Sequence, residues 1–179
     1  MGRRWWCQAL LHDGGMTGTS RRQQISALAA CAGALAYTVS KVDLARDGEL
    51  GMPGFPAPPK AYTEVSDVAA AQLGNAGLGL LMAFVALLLV RPPTLRSVRW
   101  AALAVSWTGI AMVWAGVIGF GARAAGVAPG LGETPPHMAT AVAALAVGVL
   151  WVAGWAVAAV GAVRPRDRNR HNSTLSTLS

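Results

Sequence analysis

Charged residues are scarce in this sequence of 179 residues, and their scarcity excludes most classes of soluble protein. Only 13% of the residues are charged, whereas 54% are hydrophobic and the mean hydropathy is +0.43. A soluble domain normally carries about 25% charged residues, because water must solvate its surface. The composition therefore predicts an integral membrane protein rather than a free globular enzyme.

Cysteine and histidine are also rare, which excludes a disulfide framework and argues against a metal site. The two cysteines are Cys7 and Cys31, too few to hold a small fold together. The three histidines, His12, His137 and His171, are scattered along the chain. No zinc-ligand spacing, phosphate loop, nucleophile elbow or catalytic carboxylate pair occurs. We predict no catalytic residues, no metal and no cofactor.

Long apolar runs are what the sequence has in place of charge. A helix that crosses about 30 Å of hydrocarbon needs about 20 mostly apolar residues. Apolar residues lie all round the predicted helices, as lipid surroundings favour, and residues 78–90 lack the polar face that a soluble bundle needs. We predict an all-α fold, a transmembrane four-helix bundle over residues 25–163, with spans at 25–42, 68–90, 100–120 and 137–163.

The positions of the charges predict how this bundle is oriented. If both termini are cytoplasmic, the inner segments hold eleven of the fifteen cations and two of the eight acids, a net charge of +9. The outer segments then hold four cations and six acids, a net charge of −2. Because Lys and Arg are retained on the cytoplasmic side, we predict inside termini. The clustered inner cations indicate anionic lipid headgroups as partners, not nucleic acid.

The two ends of the chain are polar and basic. Residues 1–24 form an N-terminal segment in which Met16 is a candidate translation start, and residues 164–179 form a tail that we expect to be disordered. Leu28-Ala29-Ala30-Cys31 resembles a bacterial lipobox, but the apolar stretch before it is shorter than the roughly 7 to 15 residues of a signal core. We expect Cys31 to be a small packed residue of the first helix.

The loop between the first and second spans, residues 43–63, is rich in proline and glycine. Repeated proline excludes a helix and disfavours a central strand, while Met52 and Phe55 supply apolar groups. Two interpretations stay open. The loop is either an ordered lid on the bundle or an extended, polyproline-like linker, and we favour the linker.

Polar and aromatic residues gather at a similar predicted depth near the outer ends of the spans. Polar groups in hydrocarbon pair with one another, so we expect the Trp114 indole to donate to Gln72 or Asn75, and Lys41 to pair with Asp67 or Glu64. The cluster is either a pocket for a polar or anionic ligand or a set of bonds between helices, and we favour the bonds. Its members are Tyr37, Lys41, Asp67, Gln72, Asn75, Trp114, His137 and Thr140.

Tryptophans and small residues predict the contacts between helices. Trp100, Trp107 and Trp114 recur every seven residues on one face of the third span, and Trp151 and Trp155 are four apart on the fourth. If these spans are antiparallel neighbours, Trp107 lies opposite Trp155 and Trp114 lies near Trp151. Small residues four apart allow close approach. We expect helix packing at Trp107, Trp151, Trp155, Gly74 and Gly148.

The closing Ser40-Lys41 of the first span, the Gly/Pro-rich outer loop and the Gly-rich second span resemble small bacterial four-helix membrane proteins of the DoxX-like type. The resemblance is architectural, covers residues 25–163 and transfers no site residue. Thirteen arginines against two lysines are also typical of a GC-rich bacterial genome. We expect a multi-pass protein of the bacterial cytoplasmic membrane.

Three functions stay open for such a protein. The first, which we favour, is a non-enzymatic accessory or structural component that joins other membrane subunits or a second copy of itself. The second is a small-solute transporter or carrier subunit that uses the outer polar cluster as its pocket. The third is a membrane redox accessory.

Overall fold

Four long helices make up most of the computed structural model, which describes residues 21–163. Each is long and apolar enough to cross a membrane. They match the four predicted spans, although the first and third helices are longer at both ends; the first begins at Arg21, four residues inside the predicted N-terminal segment. The N-terminal segment up to residue 20, with Met16 and Cys7, and the tail 164–179 lie outside the described residues. The long helices are α1 (Arg21–Asp47), α3 (Val68–Val90), α4 (Arg96–Ala124) and α5 (Met138–Val163).

Local sequence signals explain where these helices begin and end. α1 stops before Gly48, which has a φ of +69° in the left-handed region that glycine tolerates. α3 begins after Asp67, whose carboxylate accepts the Ala70 backbone N–H at 2.9 Å and so caps the helix. Its last residue, Val90, comes shortly before a Pro-Pro pair that cannot continue a helix.

The helices pack in the order α3, α1, α5, α4. α1 has its largest contact with α3 and a second with α5, while α5 also packs against α4. The contact faces are rich in alanine, and Ala27, Ala30 and Ala34 of α1 are completely buried. Small side chains let helix backbones approach closely, which is how helices associate where no water drives them together. Bulky apolar residues such as Phe84 and Leu150 instead point outwards.

Two stacked tryptophans fill the centre of the bundle. The rings of Trp151 and Trp155 on α5 are 6.1 Å apart and nearly parallel. Trp151 lies against Gly33 of α1 and Trp155 against Gly109 of α4, where a Cβ atom would overlap the indole rings. Both glycines are therefore the spaces that receive the two rings.

The expected pairing of these rings with other tryptophans is wrong. Trp107 and Trp114 lie on the exposed side of α4, so neither meets Trp155 or Trp151. The two helices are neighbours, as that pairing assumed, but α4 is rotated so that glycine faces the core. Gly148 lies against Val117 of α4, whereas Gly74 has open space beside it.

The loop after α1 folds into a small hairpin over one end of the bundle. Strand β1 (Gly51–Met52) pairs antiparallel with β2 (Phe55–Pro56), with Gly51 opposite Pro56 and Met52 opposite Phe55. Gly54 has a φ of +78°, as the second central residue of a Pro-Gly turn requires. The favoured interpretation of an extended linker is wrong, since backbone pairing orders this segment. We call residues 49–57 the cap and this end of the bundle the cap end.

Two further connections complete the described chain. The short helix α2 (Pro59–Glu64) follows the cap and leads to α3, and a 3-10 turn (Pro129–Leu131) lies between α4 and α5. Tyr62 of α2 accepts the Leu50 backbone N–H at 3.0 Å through its hydroxyl. The cap is thereby tied to the helix that follows it.

Candidate functional site

Three buried polar side chains from three different helices hold the cap by its backbone. Lys41 of α1 donates through Nζ to the carbonyl of Gly51. Gln72 of α3 donates through Nε2 to the carbonyl of Glu49 at 2.7 Å and, more weakly, to that of Gly51 at 3.5 Å. Arg123 of α4 donates through Nη2 to the carbonyl of Pro56 at 2.9 Å. The accepting carbonyls include Gly51 of β1 and Pro56 of β2. The contacts therefore hold both strands of the cap against α1, α3 and α4.

Burial makes these contacts strong determinants of the local structure. Gln72 is 1% exposed, Arg123 6% and Lys41 7%. A buried polar or charged group is costly unless it finds a partner, so each side chain needs the carbonyl that it binds. Lys41 also lies 5.3 Å from the centre of the Tyr37 ring, whose face attracts the ammonium group. The cap and the polar end of the bundle therefore stabilise one another.

The apolar centre of the cap is Phe55, which is completely buried. The ring centre of Phe55 lies 5.0 Å from that of Phe120 on α4 and 5.8 Å from the guanidinium carbon of Arg123. Gly54 at the tip of the cap packs closely against α5. A Cβ atom at position 54 would lie 2.7 Å from the backbone nitrogen of Ala141. Phe55 therefore anchors the cap in the bundle through apolar packing.

Of the eight predicted cluster residues, Lys41 and Gln72 bind the cap and Tyr37 contacts Lys41. Trp151 also joins them, since its ring centre is 5.8 Å from that of Tyr37. The backbone of Thr140 packs against Gly54 at the tip of the cap. Asn75 is half-buried on α3, one turn from Gln72, and has no part in the cap contacts. That these residues bind a ligand stays a prediction.

Asp67, Trp114 and His137 take no part in the described contacts with the cap, and two of the expected contacts are wrong. Lys41 binds the backbone carbonyl of Gly51 rather than Asp67 or Glu64, and Glu64 instead pairs with Lys60 at 3.5 Å. Trp114 faces outwards, so its indole does not donate to Gln72 or Asn75. Asp67 serves as the exposed N-cap of α3, and His137 and Thr140 are exposed.

Sequence reasoning missed the role of Arg123, and it named Phe55 only as an apolar group of the loop. Arg123 was counted only as one of the outer cations, yet it is the single charged residue in the long segment between Arg99 and Glu133. That isolation was a usable signal, since a lone cation in an apolar run needs a buried partner. Phe55 carried a weaker signal, an aromatic residue between two prolines.

A cleft of about 490 Å³ opens beside Arg123, between the cap and the loop that joins α4 to α5. Arg123 forms part of its wall and donates through Nε to the backbone carbonyl of Glu133 at 2.6 Å. The remainder of the wall is mostly apolar. The lining residues are Pro56, Ala57, Pro58, Pro59, Arg123, Gly126, Ala128, Pro129, Gly132, Glu133, Thr134 and Pro136.

In the part of the chain that the structure describes, three buried donors have no hydrogen-bond partner, namely Ser106 Oγ, Trp151 Nε1 and Trp155 Nε1. Within residues 21–163, no group of three or more His, Cys, Asp or Glu side chains comes together to hold a metal ion. Cys31 is a buried free thiol of α1, and no described contact gives it a chemical role. The described contacts at the cap end hold the cap on the bundle.

Comparisons with known proteins add no relative, since no family model, no curated protein and no solved structure matches this chain. The resemblance to DoxX-like proteins accordingly stays a prediction that rests on architecture.

Proposed function

We propose that this protein is a non-enzymatic accessory component of a bacterial cytoplasmic membrane, which assembles with other membrane helices through one face of α4. The observation that carries the proposal is the exposed row of Trp100, Trp107 and Trp114, whose side chains face away from the bundle. The partner is a different subunit or a second copy of this chain. The folded cap gives such a component a fixed outer surface.

The depth of these tryptophans in a bilayer supports the assignment. α4 has 29 residues and is about 43 Å long at 1.5 Å per residue. Trp107 and Trp114 lie within about 6 Å of its midpoint, whereas hydrocarbon extends about 15 Å on either side. Tryptophan prefers the membrane interface, where its N–H reaches water. Two outward-facing indoles near the midplane therefore favour a neighbouring helix that accepts their hydrogen bonds.

The surface beside the tryptophans suits such a neighbour. Ala104 and Ala111 are also exposed and, at about 100° per residue, lie within about 60° of Trp107 around the helix. The side chains thus form a ridge of large rings beside a groove of methyl groups. Ridge-into-groove packing is the usual way that helices meet, and small residues favour it in membranes.

The contacts at the cap end favour this proposal over a carrier. A carrier of the kind considered above would present Lys41 and Gln72 to a substrate, whereas both donate to cap carbonyls. A tracer uptake defect in a deletion strain, rescued by the wild-type gene, would support the carrier instead.

Assembly is tested by native mass spectrometry of the protein extracted in mild detergent at its natural expression level. We expect a mass above that of one chain for the wild type. The double variant Trp107→Ala/Trp114→Ala should dissociate to the monomer. Phe84→Ala is the matched control, because Phe84 is an aromatic residue on α3 that is even more exposed than the two tryptophans, and it should leave the complex intact. A wild-type monomer, or equal dissociation of the control, contradicts the proposal.

The orientation, with inside termini and the basic inner surface against anionic headgroups, is tested separately. In a background without Cys7 and Cys31, Ala57→Cys in the cap should react with a membrane-impermeant maleimide on intact cells. Thr94→Cys, in the exposed connection between α3 and α4, should react only after permeabilisation. The reverse pattern would overturn the orientation.

A further inference from the structure

We infer that the cleft between the cap and the α4–α5 loop binds a zwitterion, a small group that carries an anionic phosphate or carboxylate and an amine. Its anionic part contacts Arg123 and its amine contacts Glu133, the two charged residues of the cleft wall. The cleft lies outside the proposed assembly face on α4, so its occupancy does not depend on that function.

Part of the Arg123 guanidinium, which contributes to the wall of the cleft, has no described hydrogen-bond partner. Nε donates to Glu133 and Nη2 to Pro56, both through backbone carbonyls, which leaves the two N–H groups of Nη1 without a described partner. Among residues 21–163, no carboxylate lies within 4.0 Å of its guanidinium; the ion pairs there are Arg46–Asp43 and Lys60–Glu64. A buried cation that has hydrogen bonds but no counter-charge favours an incoming anion. The carbonyls hold the guanidinium plane in place before the ligand arrives.

Glu133 supplies the opposite charge without taking part in the fold through its side chain. Its backbone carbonyl binds Arg123, while the residue itself is exposed and contributes to the wall of the cleft. A simple anion would meet the repulsion of this carboxylate, and a simple cation would meet that of Arg123. A zwitterion pairs with both groups at once, so the two charges together select it.

The size and stiffness of the cleft suit a ligand of this class. Its volume of about 490 Å³ lies within the range of small-molecule sites. Five prolines line it, at positions 56, 58, 59, 129 and 136. Proline rings are rigid, so little conformational freedom is lost on binding, and they offer an apolar surface to the carbon skeleton of the ligand.

The position of the cleft allows the zwitterion to be either a lipid headgroup or a free solute. It lies at the cap end of helices that are able to cross a membrane, at the level where phospholipid headgroups would be. The phosphoethanolamine headgroup of a lipid and a free zwitterion in solution carry the same pair of charges. The experiment must separate these two sources.

Binding is tested with the full chain in lipid nanodiscs. Titration calorimetry with O-phosphoethanolamine should give saturable binding at least tenfold tighter than inorganic phosphate or ethanolamine alone. Native mass spectrometry compares retention of phosphatidylethanolamine with that of phosphatidylglycerol. Preferential retention of phosphatidylethanolamine identifies the lipid as the source, whether or not the soluble probe binds. Affinity for the soluble probe without such retention identifies a free zwitterion.

The decisive variant is Glu133→Gln, because it keeps the backbone carbonyl that binds Arg123 and so leaves the fold intact. It should weaken binding of the zwitterion at least tenfold and strengthen binding of phosphate. Glu64→Gln is the control, since that acid is exposed, lies outside the cleft and pairs with Lys60, and it should change neither affinity. Equal affinity for phosphate and phosphoethanolamine, no binding of either the soluble probe or the lipid, or an unchanged Glu133→Gln overturns the inference.

Discussion

Replacing Gln72 by leucine should open the cap while the four helices stay folded. Gln72 is the side chain of α3 that donates to the Glu49 carbonyl at 2.7 Å. Leucine has a similar volume, so the substitution removes the donor without creating a large cavity. Gly51 keeps its contact with Lys41, so the perturbation falls on the first residues of the cap.

The magnitude follows from the loss of one half-buried hydrogen bond. Gln72 is buried but Glu49 is exposed, so water can reach the freed carbonyl, and the cost is that of a net hydrogen bond, about 0.5–1.5 kcal/mol. Since 1.4 kcal/mol is a factor of ten in an equilibrium constant, opening of the cap should become about 2- to 12-fold more frequent. The Ala57 backbone N–H, which donates to the Leu50 carbonyl at 3.0 Å, closes the hairpin and reports this opening.

Hydrogen exchange of the detergent-solubilised protein measures the effect, with peptides that cover residues 49–57 compared with peptides of α5. We expect faster exchange in the cap and unchanged exchange in α5.

Asn75→Leu is the matched control, because it removes the same kind of side chain one turn further along α3, outside the cap contacts. Equal effects of the two variants on the cap peptides, or cap exchange in Gln72→Leu that matches the wild type, would refute the reasoning.

Two further predictions concern the interior and are both measured by thermal or SDS-induced unfolding in detergent. Gly109→Ala should destabilise the protein by about 1–3 kcal/mol, because the new methyl group overlaps Trp155. Gly116→Ala, with open space beside it, should be neutral or stabilising by up to about 1 kcal/mol. Equal stabilities of the two variants would contradict the packing described for Trp155. Ser106→Ala should leave stability unchanged or slightly raised, because its buried hydroxyl has no partner. Thr38→Val should cost about 0.5–1.5 kcal/mol, because its hydroxyl donates to Ala34 at 2.9 Å. A larger loss for Ser106→Ala than for Thr38→Val would show that the two roles are reversed.

The tryptophans show how far periodicity reaches and where it stops. A seven-residue spacing placed Trp100, Trp107 and Trp114 on one face of a helix, and the structure keeps them on one face. Periodicity says nothing about the direction in which that face points. In a soluble helix the apolar stripe would have marked the core, but α4 is apolar on every side. Glycine at position 109 decides its rotation, since that side admits the ring of Trp155.

The polar end shows the same limit for hydrogen bonds. Depth counting correctly placed Tyr37, Lys41 and Gln72 at one level, because a helix rises by a fixed distance per residue. It then paired side chains with side chains, as though the helices were the sole source of partners. The partners of Lys41, Gln72 and Arg123 are backbone carbonyls of the cap. Because the loop was expected to be an extended linker, its carbonyls were not considered as partners for the helices. Arg123 was therefore interpreted as a surface cation.

What the sequence determined by itself is the set of four helices, because their apolar length and their helix-ending glycine and prolines act within each segment. The tertiary structure alone decided which face of each helix is buried, that the loop after α1 folds back as a cap, and which carbonyls meet Lys41, Gln72 and Arg123. These outcomes depend on contacts between residues tens of positions apart, such as Arg123 with Pro56. Local hydropathy and spacing hold no information about such partners, because helices that are apolar all round can pack in many rotations and only the shapes of the facing side chains select one.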